Sequence, residues 1–176
     1  MRKLWRSLGD DAFSNVVRLL LLLGQRRNEV GHLQWGEVDL NRKQIVLTAS
    51  RVKNGRQHEV PLSAQALAIL ERQPRRNSSD FVFGKRGFND WSYAKKQLDQ
   101  RLGIAPWRIH DLRRTCATHL GELGVLPHVV EQALNHVSGH KAGVAGTYNR
   151  SKMSDAVRDG LQRWADWLEQ VANGQA

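Results

Sequence analysis

Apolar side chains recur at helical spacing through Phe13, Val16, Val17, Leu20 and Leu23. The pattern predicts a buried helix over about 11–23 that stops at Gly24. Asn28, a good N-cap, opens a second short helix to about Leu33. The period then changes. Residues 44–48 read Gln-Ile-Val-Leu-Thr, β-branched and apolar as a strand requires. Asn54-Gly55 is a strong hairpin signal, and residues 57–60, closed by Pro61, are the expected return strand. Helical patterning resumes behind Ser63 and runs to about Arg72, followed by a polar loop over 73–80 and a short strand at Phe81, Val82 and Phe83. Further helices are expected from Asn89 or Asp90 to about Leu102, from about His110 to Gly121, and from Pro127 to near Asn135. Residues 153–171 form an amphipathic helix with the stripe Val157, Leu161, Trp164, Leu168, Val171. The expected fold is a mostly helical α+β domain with a small antiparallel sheet. At 176 residues it is one domain, large enough to bury a core.

Charge narrows the class. Lys and Arg number 27 against 17 Asp and Glu. Residues 1–120 carry 22 of the basic and 11 of the acidic side chains, so the surplus lies in the first two-thirds. A regional surplus of this kind marks a polyanion partner, most simply nucleic acid. The longest apolar stretch, 16–23, is broken by Arg18 and is far too short for a membrane span. Basic Met1-Arg2-Lys3 is followed by no apolar signal region. Cys116 is the only cysteine, which excludes an internal disulfide and a cysteine-based zinc site and fits a reducing, cytoplasmic setting.

Chemistry concentrates in a few places. His110 and Arg113 lie three residues apart, which puts both on one face of a helix. Together they can present an imidazole and a permanently charged two-donor fork to one phosphate. Tyr148, in Gly-Thr-Tyr-Asn-Arg, adds a potential nucleophile. Arg26 stands at a helix junction with Glu29 three residues on to brace it, Lys53 adjoins the Asn54-Gly55 turn, and His136 ends Leu134-Asn135-His136.

The order Arg26, Lys53, His110-x-x-Arg113, His136, Tyr148 resembles the catalytic domain of the tyrosine recombinases, the phage integrases. Gly24-Gln25-Arg26-Arg27, Leu-Asn-His in place of the commoner Leu-Gly-His, and Gly-Thr-Tyr-Asn-Arg are most similar to the integrases of phages and genomic islands. The resemblance spans about residues 10–165 and implies that family's catalytic-domain fold over 1–176, without its N-terminal core-binding and arm-binding domains. It implies metal-independent, cofactor-free cleavage and rejoining of double-stranded DNA at an attachment-type site, in a prokaryotic cytoplasm. Arg26 and Arg113 would clamp the phosphate, Tyr148 would attack it, Lys53 would protonate the leaving 5′-oxygen, and His110 and His136 would assist. It also implies dimer or tetramer assembly on DNA, with the helix over 153–171 as a possible protomer contact.

Several readings compete at this level. Arg27 and Arg114 adjoin the favoured arginines, and Arg51 and Arg56 flank Lys53. Tyr93, beside Lys95 and Lys96, is a packing or DNA-facing group. His128, His136 and His140 lack companion cysteines for a metal centre, and His58 and His119 read as ordinary core or surface histidines. A type IB topoisomerase uses similar residues to relax DNA, and an idle DNA-binding fragment would share the charge.

Overall fold

The computed structural model describes residues 1–136 and 150–175, with side chains described from Met153 onward in the second stretch. Helices α1 (Arg2–Ser7), α2 (Ala12–Leu23) and α3 (Arg27–Gly31) precede strands β1 (Val38–Asp39), β2 (Gln44–Leu47) and β3 (His58–Pro61). Then come α4 (Ala64–Glu71), α5 (Trp91–Leu102), α6 (Ile109–Glu122), α7 (Pro127–Ala133) and α8 (Arg150–Asn173). The α+β reading of the chain is correct.

Helix α2 is the centre of the molecule. Val16, Val17 and Leu19 to Leu23 are all buried, so it is apolar on nearly every side and must be surrounded. It packs against α3, α4, α6 and α8. Asp11 caps its start, accepting from the Ser14 backbone N–H at 3.0 Å. Gly24 ends it at φ 64°, in the left-handed region. A Cβ added there would stand 2.4 Å from Leu134 and 3.0 Å from the Cys116 sulfur. Conformation and space therefore both demand glycine.

The sheet is antiparallel in the order β1-β2-β3, with Leu47 opposite His58 and Gln44 opposite Pro61. Ile45 and Leu47 point inward from β2, as do His58 and Val60 from β3. Three local expectations need correction. The β2–β3 connection is a long excursion with a 3₁₀ turn over Ala49–Arg51, rather than a tight Asn-Gly hairpin. Arg51 explains the excursion: its guanidinium meets buried Glu37 at 2.7 Å and donates to the His32 carbonyl at 2.8 Å. Helix α3 begins two residues early, because Glu29 accepts the Arg26 backbone N–H at 2.8 Å and makes Arg26 the N-cap in place of Asn28. Phe81 forms only an isolated bridge with Gln34. The N-terminal helix α1 is an element that the pattern did not predict. Six residues leave too little periodicity to read.

Four of the five stripe residues on α8 are core, and Val171 is half-buried. Val157, Leu161, Trp164 and Leu168 are each at most 3 % exposed, and α8 packs on α1, α2, α4, α6, α7 and β3. The Trp164 indole donates to the Leu21 carbonyl at 2.9 Å. His119 on α6 stacks on Trp164 and Trp167 with ring centroids 5.3 and 4.8 Å apart. The apolar face that resemblance offered to a second protomer is thus occupied by the domain itself. Trp164→Ala should cost about 3–5 kcal/mol through cavity formation and the lost indole bond. That lowers Tm by roughly 6–20 °C for a chain of this size. A calorimetric shift under about 2 °C would show that α8 is not integral.

Candidate functional site

Several candidate residues meet where α2 ends, where α6 begins and where α7 ends. Arg113 is the anchor. Only 7 % exposed, it donates from Nη1 to the Gly24 carbonyl at 2.8 Å and from Nη2 to the Leu134 carbonyl at 2.6 Å. Both carbonyls belong to helix ends, where acceptors lack helical partners. A guanidinium carries five N–H donors, so these two bonds hold the group and leave others for a ligand. Burial depresses the Arg113 pKa most, and the nearby positive charge of Arg26 depresses it further. Glu29 opposes that repulsion. Its carboxylate, 4 % exposed, meets the Arg26 guanidinium at 2.9 Å.

One turn before Arg113, His110 is exposed at the rim of α6. A cleft is lined by His110, Arg113, Arg114, Leu134 and His136 among others. A second hollow, sharing Glu131 and His136 with the first, is lined by Asn54, Arg56, Gln57, His58 and Asn135. The chain thus brings His110, Arg113 and His136 to one cleft, with the Arg26–Glu29 pair close to Arg113. Lys53 is exposed, one residue before Asn54, and lines neither hollow. Tyr148 lies outside the described residues.

The competing cations separate by their surroundings. Arg27 is exposed over the Trp91 ring, 5.4 Å from its centroid. Arg114, 75 % exposed, reaches Asp111 at 3.4 Å. Arg51 is committed to Glu37 and to backbone carbonyls, and Arg56 remains exposed on the loop.

His58, read from the sequence as an ordinary core or surface histidine, belongs to the core. It is 2 % exposed, and its Nε2 is buried without a partner. Burial pulls its pKa from 6.5 down to about 4, outweighing the opposite pull of Glu29 and the Ala133 backbone. The imidazole is therefore neutral beside two guanidiniums. The alternation of His58 with Val60, both inward, was the signal available in the sequence. Gln25, also buried, donates to the Leu23 and Ala133 carbonyls at 2.8 Å each. It ties the end of α2 to the end of α7.

The family model for the phage integrases matches residues 9–154. The prophage integrase IntA of Escherichia coli K12 is 35 % identical over 88 % of this chain and 38 % of its own length. The prophage integrase IntZ of the same strain is 32 % identical over 94 % of this chain and 42 % of its own length. Among solved structures, the catalytic domain of bacteriophage HP1 integrase aligns with a TM-score of 0.60 at 21 % identity, covering 98 % of this chain and 91 % of that one. The integrase of mycobacterium phage Brujita aligns at 0.66 and 21 % identity, over 87 % of this chain and 51 % of that one. The chain belongs to the phage integrase family of tyrosine recombinases and has the fold of their catalytic domains. It spans about two-fifths of the length of these two curated relatives. Among the described residues, no helix is long and apolar enough to cross a membrane.

His58 gives the fold a pH dependence of definite sign. Its folded pKa lies below the unfolded value, so unfolding takes up a proton between about pH 6.5 and 4. Its contribution is therefore fully present above pH 6.5 and lost as pH falls through 4. The loss by pH 4.5 is about 2–3 kcal/mol. In His58→Gln the fall in Tm between pH 7 and 4.5 should be visibly shallower than in the parent. Parallel falls would assign the acid sensitivity elsewhere.

Proposed function

We propose that this chain cuts and rejoins double-stranded DNA at a specific site, integrating or excising a mobile element through a 3′-phosphotyrosyl intermediate. The observation that carries the reading is the buried Arg113 guanidinium, fixed by two helix-end carbonyls in the cleft that His110 and His136 also line. Preorganised donors of this kind stabilise charge developing on phosphate oxygens.

In this reading Arg26 and Arg113 hold the non-bridging oxygens, and Glu29 keeps Arg26 in place. The Tyr148 phenolate oxygen forms a bond to phosphorus while the bond from phosphorus to the 5′-oxygen breaks. Lys53 delivers a proton to that departing oxygen, and His110 helps remove the phenol proton, since a phenol of pKa near 10 requires assistance. His136 hydrogen-bonds the phosphate. The phosphotyrosyl link retains the bond energy, so a 5′-hydroxyl from another strand reverses the step and completes an exchange. The +10 net charge supplies affinity for the DNA backbone. Two or four protomers would assemble on paired half-sites using surfaces other than the buried stripe of α8.

Two experiments test this. A nicked suicide duplex should yield a covalent adduct with the parent protein and none with Tyr148→Phe, while DNA affinity stays within about twofold, because only the nucleophilic oxygen is lost. Arg26→Ala or Arg113→Ala should slow adduct formation roughly 10²–10³-fold, as loss of one oxyanion donor does. Adducts from Tyr148→Phe would shift attention to Tyr93. Second, cleavage should persist in excess EDTA, with guanidiniums doing the work of metal ions. Chelator-sensitive cleavage restored by magnesium would indicate a nuclease instead.

A further inference from the structure

The loop that carries Lys53 is tied to the segment that carries His136. Asn54 Nδ2 donates to Asn135 Oδ1 at 2.6 Å and lies 3.4 Å from the Asn135 carbonyl, and Asn135 Nδ2 reaches Asn54 Oδ1 at 3.4 Å. The partners are 81 residues apart in sequence. Each stands beside a residue of the proposed chemistry, Lys53 before Asn54 and His136 after Asn135.

The backbone explains why this asparagine is unusual. Asn135 has φ 50°, a left-handed conformation that glycine adopts without steric cost. The commoner Leu-Gly-His reading of this motif satisfies the turn but has no side chain to offer. Asparagine tolerates the conformation and adds an amide that spans the gap to the loop. The loop needs such a tether. Its start is fixed by Arg51 on Glu37 and by buried Val52, and its end enters β3 at buried His58. Between them Lys53, Gly55, Arg56 and Gln57 are exposed. Among the described residues, the Asn54–Asn135 bonds are the only side-chain hydrogen bonds that 53–57 send outside their own loop.

We propose that the Asn54–Asn135 amide pair is a latch that docks the Lys53 loop at the edge of the cleft and positions the general acid. This rests on the reading of Lys53 given above. Asn54 and Asn135 are positioning residues: neither touches the reacting atoms in this scheme, and both act through where Lys53 stands. A misplaced acid costs most when the leaving group needs a proton. A thiolate leaving group needs none.

Asn135→Gly is the discriminating variant, because glycine preserves the left-handed backbone and deletes only the amide. Asn54→Ala cuts the same pair from the loop side. On a nicked suicide duplex, each should slow adduct formation roughly 10–100-fold, and the double variant should be no slower than either alone, the signature of one shared interaction. On the same duplex with sulfur replacing the bridging 5′-oxygen, both should return to within about threefold of the parent, as Lys53→Ala should, because the acid is bypassed. Slow cleavage without rescue by sulfur would overturn the positioning role and leave a structural one. Unchanged cleavage of the ordinary duplex would overturn the proposal outright. Amide hydrogen exchange over 53–57 provides an arm independent of DNA: it should accelerate in Asn135→Gly, and identical exchange refutes the latch. A parent protein that forms no adduct at all sinks the recombinase reading, while the exchange result still decides the latch.

Discussion

One buried charge organises the molecule. The Arg113 guanidinium is removed from water, and that removal is tolerable only because its donors meet the carbonyls of Gly24 and Leu134. An unpaired charge at that depth would cost several kcal/mol. The requirement reaches outward. Helix α2 must end in a left-handed glycine so that the Gly24 carbonyl is free, and nothing larger fits against Cys116 and Leu134. Helix α7 must end where it does so that Leu134 offers its own carbonyl, after which Asn135 turns into the left-handed region. The site is built almost entirely from helix ends, because they supply unsatisfied backbone acceptors at fixed positions.

Electrostatics around that charge are balanced by short contacts. Arg26 repels Arg113, and Glu29 holds Arg26 through both its side chain and its backbone. His58 is kept neutral by burial, so it adds volume beside the guanidiniums without a third positive charge. The arrangement concentrates positive potential at one cleft while each fixed cation retains an acceptor.

Much of this was legible in the sequence, and the exceptions have physical causes. Long periodic segments read correctly: α2, α5, α6 and α8 are found close to their expected bounds. The stripe on α8 was legible as apolar, but periodicity cannot say whether a helix buries that face in its own domain or in a neighbour. The Asn54-Gly55 signal located the turn and missed the excursion, since Arg51's long-range anchorage leaves no local trace. Of the candidate site residues, His110, Arg113 and His136 line one cleft, the Arg26–Glu29 pair lies close to Arg113, Lys53 stands exposed on the adjoining loop, and Tyr148 is outside the described residues. The reading of His58 stayed open between core and surface, and the Asn54–Asn135 contact escaped notice because it depends on tertiary neighbours.

The grip of Arg113 on two distant chain segments, 89 and 21 residues away, also bears on how the protein unfolds. Detaching α2 or α7 from α6 would leave the charged group short of an acceptor, so neither end of the cleft gains by fraying alone. The opening free energy there is drawn toward that of global unfolding. The Lys53 loop, exposed over most of its middle, joins that coupling only where Asn54 meets Asn135. The same chain therefore pairs a cleft that resists local opening with an adjoining loop held to it by one amide pair.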